Sequence, residues 1–299
     1  MKKIQVGFLL SYDYELLKKS IPPVYDQADT IFLAVDKEYR TWSGNKFSIP
    51  DDFFDWLKAF DVDKKIEIYA DDFYVPELNA IQNDTRERHM LGNKMGLGNW
   101  LVQIDSDEIF IDFKSFVTNL RKYDSYLKNP AQNPIQFAAF HVNVYKYLPE
   151  GILYIDKPSK FLVATNYPNY KYAKNTKSRI VYFNSLVLHE GLARTEEDLK
   201  VKLANWGHKH EINDTFLDKW KMANAQNYKD LKDVFYLDAD TWPSVGFFPS
   251  NDLFEIKKIV EKDETLTIPA TKLFFRNFGQ WFKHLFKKKK PVFESYFDL

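Results

Sequence analysis

The chain has no cysteine among its 299 residues. That excludes a disulfide-stapled scaffold and any thiolate metal site. It also lacks a run of 18 apolar residues, so no membrane-spanning helix is predicted. Met1-Lys2-Lys3-Ile4 runs straight into a strand-like segment, with neither the apolar stretch nor the small-residue cleavage site of a secretory leader. No Gly-, Ser- or Pro-rich linker divides the sequence. At this length the expectation is one large domain with a C-terminal extension. Net charge is zero, from 42 cationic and 42 anionic residues, which argues against a nucleic-acid partner. The expected location is cytoplasmic.

Aromatic residues are plentiful, at 17%, more than a core needs, so some are expected to line a groove or face a membrane. The most informative stretch is Trp100-Leu101-Val102-Gln103-Ile104-Asp105-Ser106-Asp107-Glu108. Leu101 to Ile104 reads as a short buried strand. The acids then fall at its C-terminal lip, where open α/β sheets place ligands. Asp105 and Asp107, two apart in extended chain, share a side. Hard oxygen ligands at that spacing suit Mg²⁺ or Mn²⁺ together with substrate phosphates. The alternative is a solvated acidic turn.

The first hundred residues alternate strands and helices. Lys3–Ser11 and Thr30–Val35 read as buried strands, and Lys65–Tyr69 as a third strand. Tyr14–Tyr25, with Leu16 and Leu17 inward, and Phe53–Phe60 read as helices. A third helix is predicted to open at Pro76, to bury Leu78, Ile81 and Met90, and to fray near Gly92, Gly96 and Gly98. Such alternation predicts a Rossmann-like α/β sandwich, a mostly parallel central sheet with helices on both faces. Asp36 and Asp71-Asp72 then join Asp105 and Asp107 in one crevice. There Asp36 and Asp71 are candidates for reaching a nucleotide's ribose or base; the alternative is ordinary turn chemistry. Arg86 and Arg88 are candidates for its diphosphate, or else lie on a solvated helix face.

Further on, Phe137–Tyr147, Tyr154–Thr165 and Ser178–Phe183 read as antiparallel strands, with Asn166–Tyr170 a loop that either presents aromatics to a sugar-like ligand or is an ordinary polar turn. Leu186-Val187-Leu188 delivers His189 and Glu190 to a strand end. A neutral His189 imidazole would complete a carboxylate–carboxylate–His set suited to Mn²⁺. Thr195 caps a helix with Leu199, Leu203 and Trp206 inward and Gly207 at its end. His208 and His210 follow, touching either ligand or the helix terminus. Residues 216–260 look helical. Asp238 and Asp240 repeat the D-x-D spacing but precede Thr241-Trp242-Pro243, which reads as a loop. The expected division is 1–215 as a nucleotide-binding catalytic domain, 216–270 as a helical extension of the same domain, and 271–290 as an amphipathic helix.

Residues 271–290 contain seven cations and no acid, so the rest of the chain is acidic. Phe274, Phe278, Trp281 and Leu285 step by four, three and four. Phe275, Phe282 and Phe286 widen that face, and Lys272, Arg276, Gln280, Lys283 and Lys287 lie opposite. The pattern predicts an interfacial helix on an anionic membrane surface, placing the protein peripherally on the inner face of the cell membrane. The alternative is a terminal helix docked with its aromatics in the core.

Gly98-Asn99-Trp100 through Asp105-Ser106-Asp107-Glu108 resembles the W-hydrophobic-D-x-D-E metal motif of GT-A-fold, family-2-like glycosyltransferases. His189-Glu190-Gly191, Arg194 and Lys202-Leu203 with Trp206-Gly207-His208 resemble the downstream histidine segment of bacterial members. The arrangement, over about residues 1–212, is also similar to bisecting-type β-1,4-N-acetylglucosaminyltransferases. The resemblance implies a nucleotide-sugar donor, a glycan or lipid-linked acceptor of cell-surface polysaccharide or lipopolysaccharide synthesis, and Mn²⁺ or Mg²⁺ on the diphosphate held by Asp105, Asp107 and His189. Inverting members often draw a base from an Glu-Asp pair. No such pair is assigned here, and Glu190 stands as the candidate, leaving the base and the stereochemical outcome open. The enzyme alternative is a sugar-1-phosphate nucleotidyltransferase, against which Ser11-Tyr12-Asp13-Tyr14-Glu15 shows no phosphate-loop glycine. A D-x-D-x-T phosphatase is disfavoured by Ile109. A catalytically inactive binding scaffold on the same fold is the non-enzyme alternative.

Overall fold

The computed structural model describes residues 2–199, 216–235, 241–263 and 266–285. Strands β1 (Ile4–Leu9), β2 (Thr30–Asp36), β3 (Ile66–Asp71) and β4 (Trp100–Ile104) are parallel, in the order β3-β2-β1-β4. β1, β2 and β4 are short apolar runs because both their faces are covered. Ile4, Val6, Phe8, Ile31, Leu33 and Val35 face one side. There helices α1 (Leu17–Ser20), α2 (Pro22–Tyr25) and α3 (Asp51–Phe60) bring Leu17, Ile21, Phe53 and Leu57. Leu9, Phe32, Ala34 and Leu101 face the other side, against Leu91 and Met95 of α4 (Ala80–Met95). α4 lies so close to β1 that a Cβ on Gly7 would sit 2.9 Å from Leu91 Cδ2 and Met95 Sδ.

The second half of the sheet comprises β5 (Glu108–Phe110), β6 (Ile135–Leu148), β7 (Gly151–Ile155), β8 (Ser159–Thr165), β9 (Arg179–His189) and β10 (Val245–Phe248). β4–β8, β8–β6, β6–β7, β7–β10 and β5–β9 pair antiparallel, and only β6–β9 is parallel. The ten-stranded sheet is therefore mixed rather than mostly parallel. Only Pro149 and Glu150 separate β6 from β7. So short a link closes a hairpin, whereas a parallel return needs a crossover of about a dozen residues. Helix α5 (Phe113–Arg121), N-capped by Asp112, inserts Phe113, Phe116 and Leu120 into the larger core.

Several elements differ from the sequence expectation. Tyr14–Tyr25 is not one helix: a 3₁₀ turn at Tyr14–Leu16 precedes α1, and Pro22 restarts the chain as α2. Leu17 is buried but Leu16 is only partly so. α4 opens at Ala80 rather than Pro76, because Asn79 and Gln82 form a reciprocal capping box. Its buried stripe is polar as well as apolar: Asn83, Asp84, Thr85, Glu87 and Arg88, then Leu91 and Met95. Residues 154–165 are split between β7 and β8, while 178–183 and 186–188 fuse into β9. The region expected to be helical holds α6 (Phe216–Met222) and α7 (Leu253–Val260), but also β10, which extends the sheet beside β7. Thr195 caps as expected, its Oγ1 accepting from the Asp198 N–H at 3.1 Å. Leu203, Trp206, Gly207, His208, His210, Asp238 and Asp240 lie outside the described residues. α8 (Ala270–Leu285) closes the described chain. Among the described residues no helix is long and apolar enough to cross a membrane.

Candidate active site

β1 leads outward through β2 and β3, and the chain then returns across β1 to β4. The carboxyl ends of β1 and β4 therefore flank a topological switch point, the place where open α/β sheets bind ligands. After β1 the chain brings Asp13 there; after β4 it brings Asp105, Ser106 and Asp107. Ser106 Oγ donates to Asp13 Oδ2 at 2.9 Å, tying the two loops together. β5 then pairs with β9, setting Glu108 opposite His189, and the Glu190 N–H donates to the Asp107 carbonyl at 2.8 Å. Two segments far apart in sequence, D-x-D-E and His-Glu, thus form one short ladder.

The acids are embedded among cations. Asp105 meets Arg88 NH1 at 2.9 Å and Lys174 Nζ at 3.1 Å. Arg88 also holds Asp84 at 2.6 Å, which explains the polar stripe on α4. Lys174 donates to both Glu108 oxygens, at 2.8 and 2.6 Å, and His141 Nε2 reaches Glu108 Oε1 at 3.1 Å. The Asp105 N–H donates to Glu108 Oε2 at 2.9 Å. Burial by itself would raise the Glu108 pKa, but Lys174 and His141 outweigh it and hold this carboxyl well below the usual range. Asp84 goes the other way: burial dominates over Arg88 and its pKa is raised. Burial pushes Glu87 up to about 8, even with the Trp42 indole N–H donating to Oε2 at 2.6 Å. Arg194 bridges Asp13 Oδ2 and Asp107 Oδ2, both at 3.2 Å.

His189 stacks on His141, with ring centroids 4.4 Å apart, and its Nδ1 lies 2.9 Å from Asn143 Oδ1. An amide oxygen only accepts, so Nδ1 carries a proton, and in the neutral ring Nε2 is the ligating nitrogen. Nε2 faces Asp107 Oδ1 at 3.7 Å. Two donors at about 2.1 Å from one ion lie within about 4.2 Å of each other, so Asp107 and His189 fit a shared divalent cation. Asp105 instead has both its oxygens paired, with Arg88 and with Lys174. Among the described residues no three His, Asp or Glu side chains are grouped as a metal centre.

Glu190 lies beside this pair, at the wall of a cleft of about 650 Å³ lined also by Tyr12, Asp13, Lys19, Tyr147 and Arg194. Its carboxylate is 1% exposed. Lys19 Nζ donates to it at 3.1 and 3.3 Å, and the Tyr147 hydroxyl donates to Oε1. Burial raises its pKa despite Lys19.

The other sequence candidates are placed away from the cleft wall. Asp36 is buried and pairs with Arg40 Nε at 2.8 Å and NH2 at 3.0 Å, while accepting from the Phe73 and Tyr74 amides. It pins the loop after β2 to the end of β3. Asp71 accepts from the Tyr69 hydroxyl at 2.6 Å. Arg86 donates to the carbonyls of Asp72 and Phe73. Asn166–Tyr170 packs inward, with Asn166, Pro168 and Tyr170 buried, instead of displaying aromatics. Lys174, Asp13, His141, Lys19 and Tyr147 escaped the sequence reading. No motif marks them, and only the fold brings them to the acids. No family model and no curated protein matches the chain.

Proposed function

We propose that the chain is a GT-A-type glycosyltransferase that moves a sugar from a nucleoside-diphosphate donor to a hydroxyl acceptor, assisted by Mn²⁺ or Mg²⁺. The observation that carries this reading is the β5–β9 ladder at the switch point, which sets Asp107 against His189 and Glu190 beside an open cleft. Asp107 and His189 are the residues that would hold the ion, and the chemistry it supplies is neutralisation of the departing diphosphate. Asp105, oriented by Arg88 and Lys174, lines the donor side. Arg194 and Lys174 offer fixed positive charge where the leaving group gathers negative charge. Glu190 takes the proton of the acceptor hydroxyl as that oxygen attacks the anomeric carbon. The carbon–oxygen bond to the nucleoside diphosphate breaks, and the diphosphate leaves with the bonding pair. The raised pKa of Glu190 suits a group that must accept a proton near neutrality. After β1 the chain presents a carboxylate, Asp13, and no glycine-rich phosphate cradle, which favours sugar transfer over nucleotidyl transfer.

The test is a thermal-shift screen of UDP, GDP, CMP, dTDP and ATP, each with and without Mn²⁺. A ligand that binds only the folded state raises the melting temperature by mass action. The expected result is stabilisation by one nucleoside diphosphate only with metal, lost in Asp107→Ala and His189→Ala. Stabilisation by ATP alone would point to nucleotidyl transfer. No shift with any nucleotide would count against enzyme function.

A further inference from the structure

α8 is an amphipathic helix mounted the wrong way round for a soluble fold. Its inward face is Leu273, Arg276 and Asn277, Gln280 and His284, which recur once per helical turn. Asn277 hydrogen-bonds both backbone groups of Tyr182 on β9: the Tyr182 N–H donates to Oδ1 at 2.7 Å, and Nδ2 donates to the carbonyl at 3.1 Å. The Ile180 N–H donates to Gln280 Oε1 at 3.4 Å. The Arg276 guanidinium lies over the rings of Phe140 and Tyr182 at 5.8 and 5.4 Å. The polar side of the helix thus occupies the β9 edge, taking up backbone groups that would otherwise invite another strand.

The opposite face is apolar and largely exposed. Phe274, Phe275, Phe278, Trp281, Phe282 and Leu285 are all between 45% and 68% exposed. Burying that face against the body is the outcome the hydrophobic effect favours in water, and here the body receives the polar face instead. A contiguous aromatic surface of this kind marks an interaction site. Charge identifies the partner. Lys272 and Lys283, exposed and eleven residues apart, lie on one line of the helix beside the aromatic face. The sequence continues Phe286-Lys287-Lys288-Lys289-Lys290, with no acid from 271 to 290. Aromatics with flanking lysines and no anion match a bilayer carrying anionic headgroups: the rings enter the acyl boundary and the ammonium groups stay at headgroup level.

We propose that α8 seats the protein on an anionic lipid bilayer through this aromatic face. The hydrogen bonds to β9 make the helix a fixed part of the body. The same strand ends at His189, seven residues beyond Tyr182, about 24 Å along an extended chain. The helix and the candidate site are therefore held at a set separation on the membrane.

The test is vesicle flotation of the full chain, with phosphatidylcholine vesicles and with vesicles containing 30% phosphatidylglycerol. The expected result is flotation with the anionic vesicles, at least tenfold weaker binding to the neutral ones, and weakening as salt rises. Each lysine near the surface is worth roughly fivefold in affinity. The triple variant Phe278→Glu/Trp281→Glu/Phe282→Glu, altered only at exposed positions, keeps the wild-type melting temperature and stays at the bottom of the gradient. Flotation of the triple variant to the wild-type extent would overturn the proposal, as would equal binding to both vesicle types. So would a wild-type dimer in sedimentation velocity that the triple variant abolishes while neither vesicle is bound; that result would assign the face to a second copy of the chain.

Discussion

Replacing Glu108 by Gln tests whether the buried charge network holds the D-x-D loop. Glu108 is 3% exposed and accepts four hydrogen bonds: two from Lys174, one from His141 and one from the Asp105 N–H. A glutamine oxygen at the Oε2 position still accepts from Lys174 and the Asp105 N–H, but the bonds that Lys174 and His141 make to Oε1 are lost. Its NH₂ is turned toward a cation. Hydrogen bonds to a charged group contribute about 1.5–3 kcal/mol each, and at least two are lost. Lys174 keeps Asp105 as a partner at 3.1 Å, so its charge is not orphaned. A loss of about 3–5 kcal/mol follows, in line with breaking one side of a buried pair. The assay is urea unfolding at pH 7, with and without the substitution. The pH dependence provides a second reading. The folded pKa of Glu108 is depressed, so its contribution is complete above the ordinary glutamate value and is lost as pH falls through the folded value. The wild-type chain therefore loses stability below about pH 4.5 partly through this group, and the glutamine variant shows a shallower acid limb. A variant within 1 kcal/mol of wild type, with an unchanged acid limb, would refute the network's role.

Glu87 behaves oppositely. Its folded pKa of about 8 exceeds the ordinary 4.5, so the fold binds a proton that the unfolded chain releases, and stability falls as pH rises from 4.5 to about 8. Glu87→Gln should remove up to about 1.4 kcal/mol per pH unit of that slope; equal slopes in thermal unfolding from pH 5 to 8 would contradict the assignment. Gly7→Ala places a methyl 2.9 Å from Leu91 and Met95, and overpacking there should cost about 1–3 kcal/mol; a lowered urea midpoint with an unchanged m-value is the expected signature. Glu190→Gln should reduce kcat by about 10²–10⁴ while leaving nucleotide-induced stabilisation intact. Because burial raises the Glu190 pKa, wild-type turnover should rise with pH through a limb above the usual carboxylate range, and retention of that limb in the variant would assign the base elsewhere.

The local elements were legible where the sequence carried an unambiguous period. Apolar runs such as Lys3–Ser11 and Thr30–Val35 read as strands buried on both faces, and acids after the second, third and fourth strands then lie on one edge of a parallel sheet. The step pattern of α8 fixed which side of that helix is apolar, and the Thr195 cap was visible as a residue type three positions from an acid. Three things were not legible. The antiparallel half depends on connection lengths and on which edge each hairpin joins, so β10 emerged from a region that looked helical. The inward face of α4 is polar because Asp84 and Arg88 pack toward Asp105, and a pattern based on apolar residues selected Ile81 and Met90 instead. Lys174, Asp13 and Tyr147 have no motif, because a polar contact across the fold leaves no periodic trace. The sequence by itself therefore determined the four parallel strands, the D-x-D-E and His-Glu segments and the amphipathic tail, all set by short-range spacing and side-chain chemistry. Only the tertiary structure decided that Asp107 faces His189, that Asp105 is held by two cations, and that α8 turns its aromatic face outward, since these depend on pairing register and long-range charge compensation.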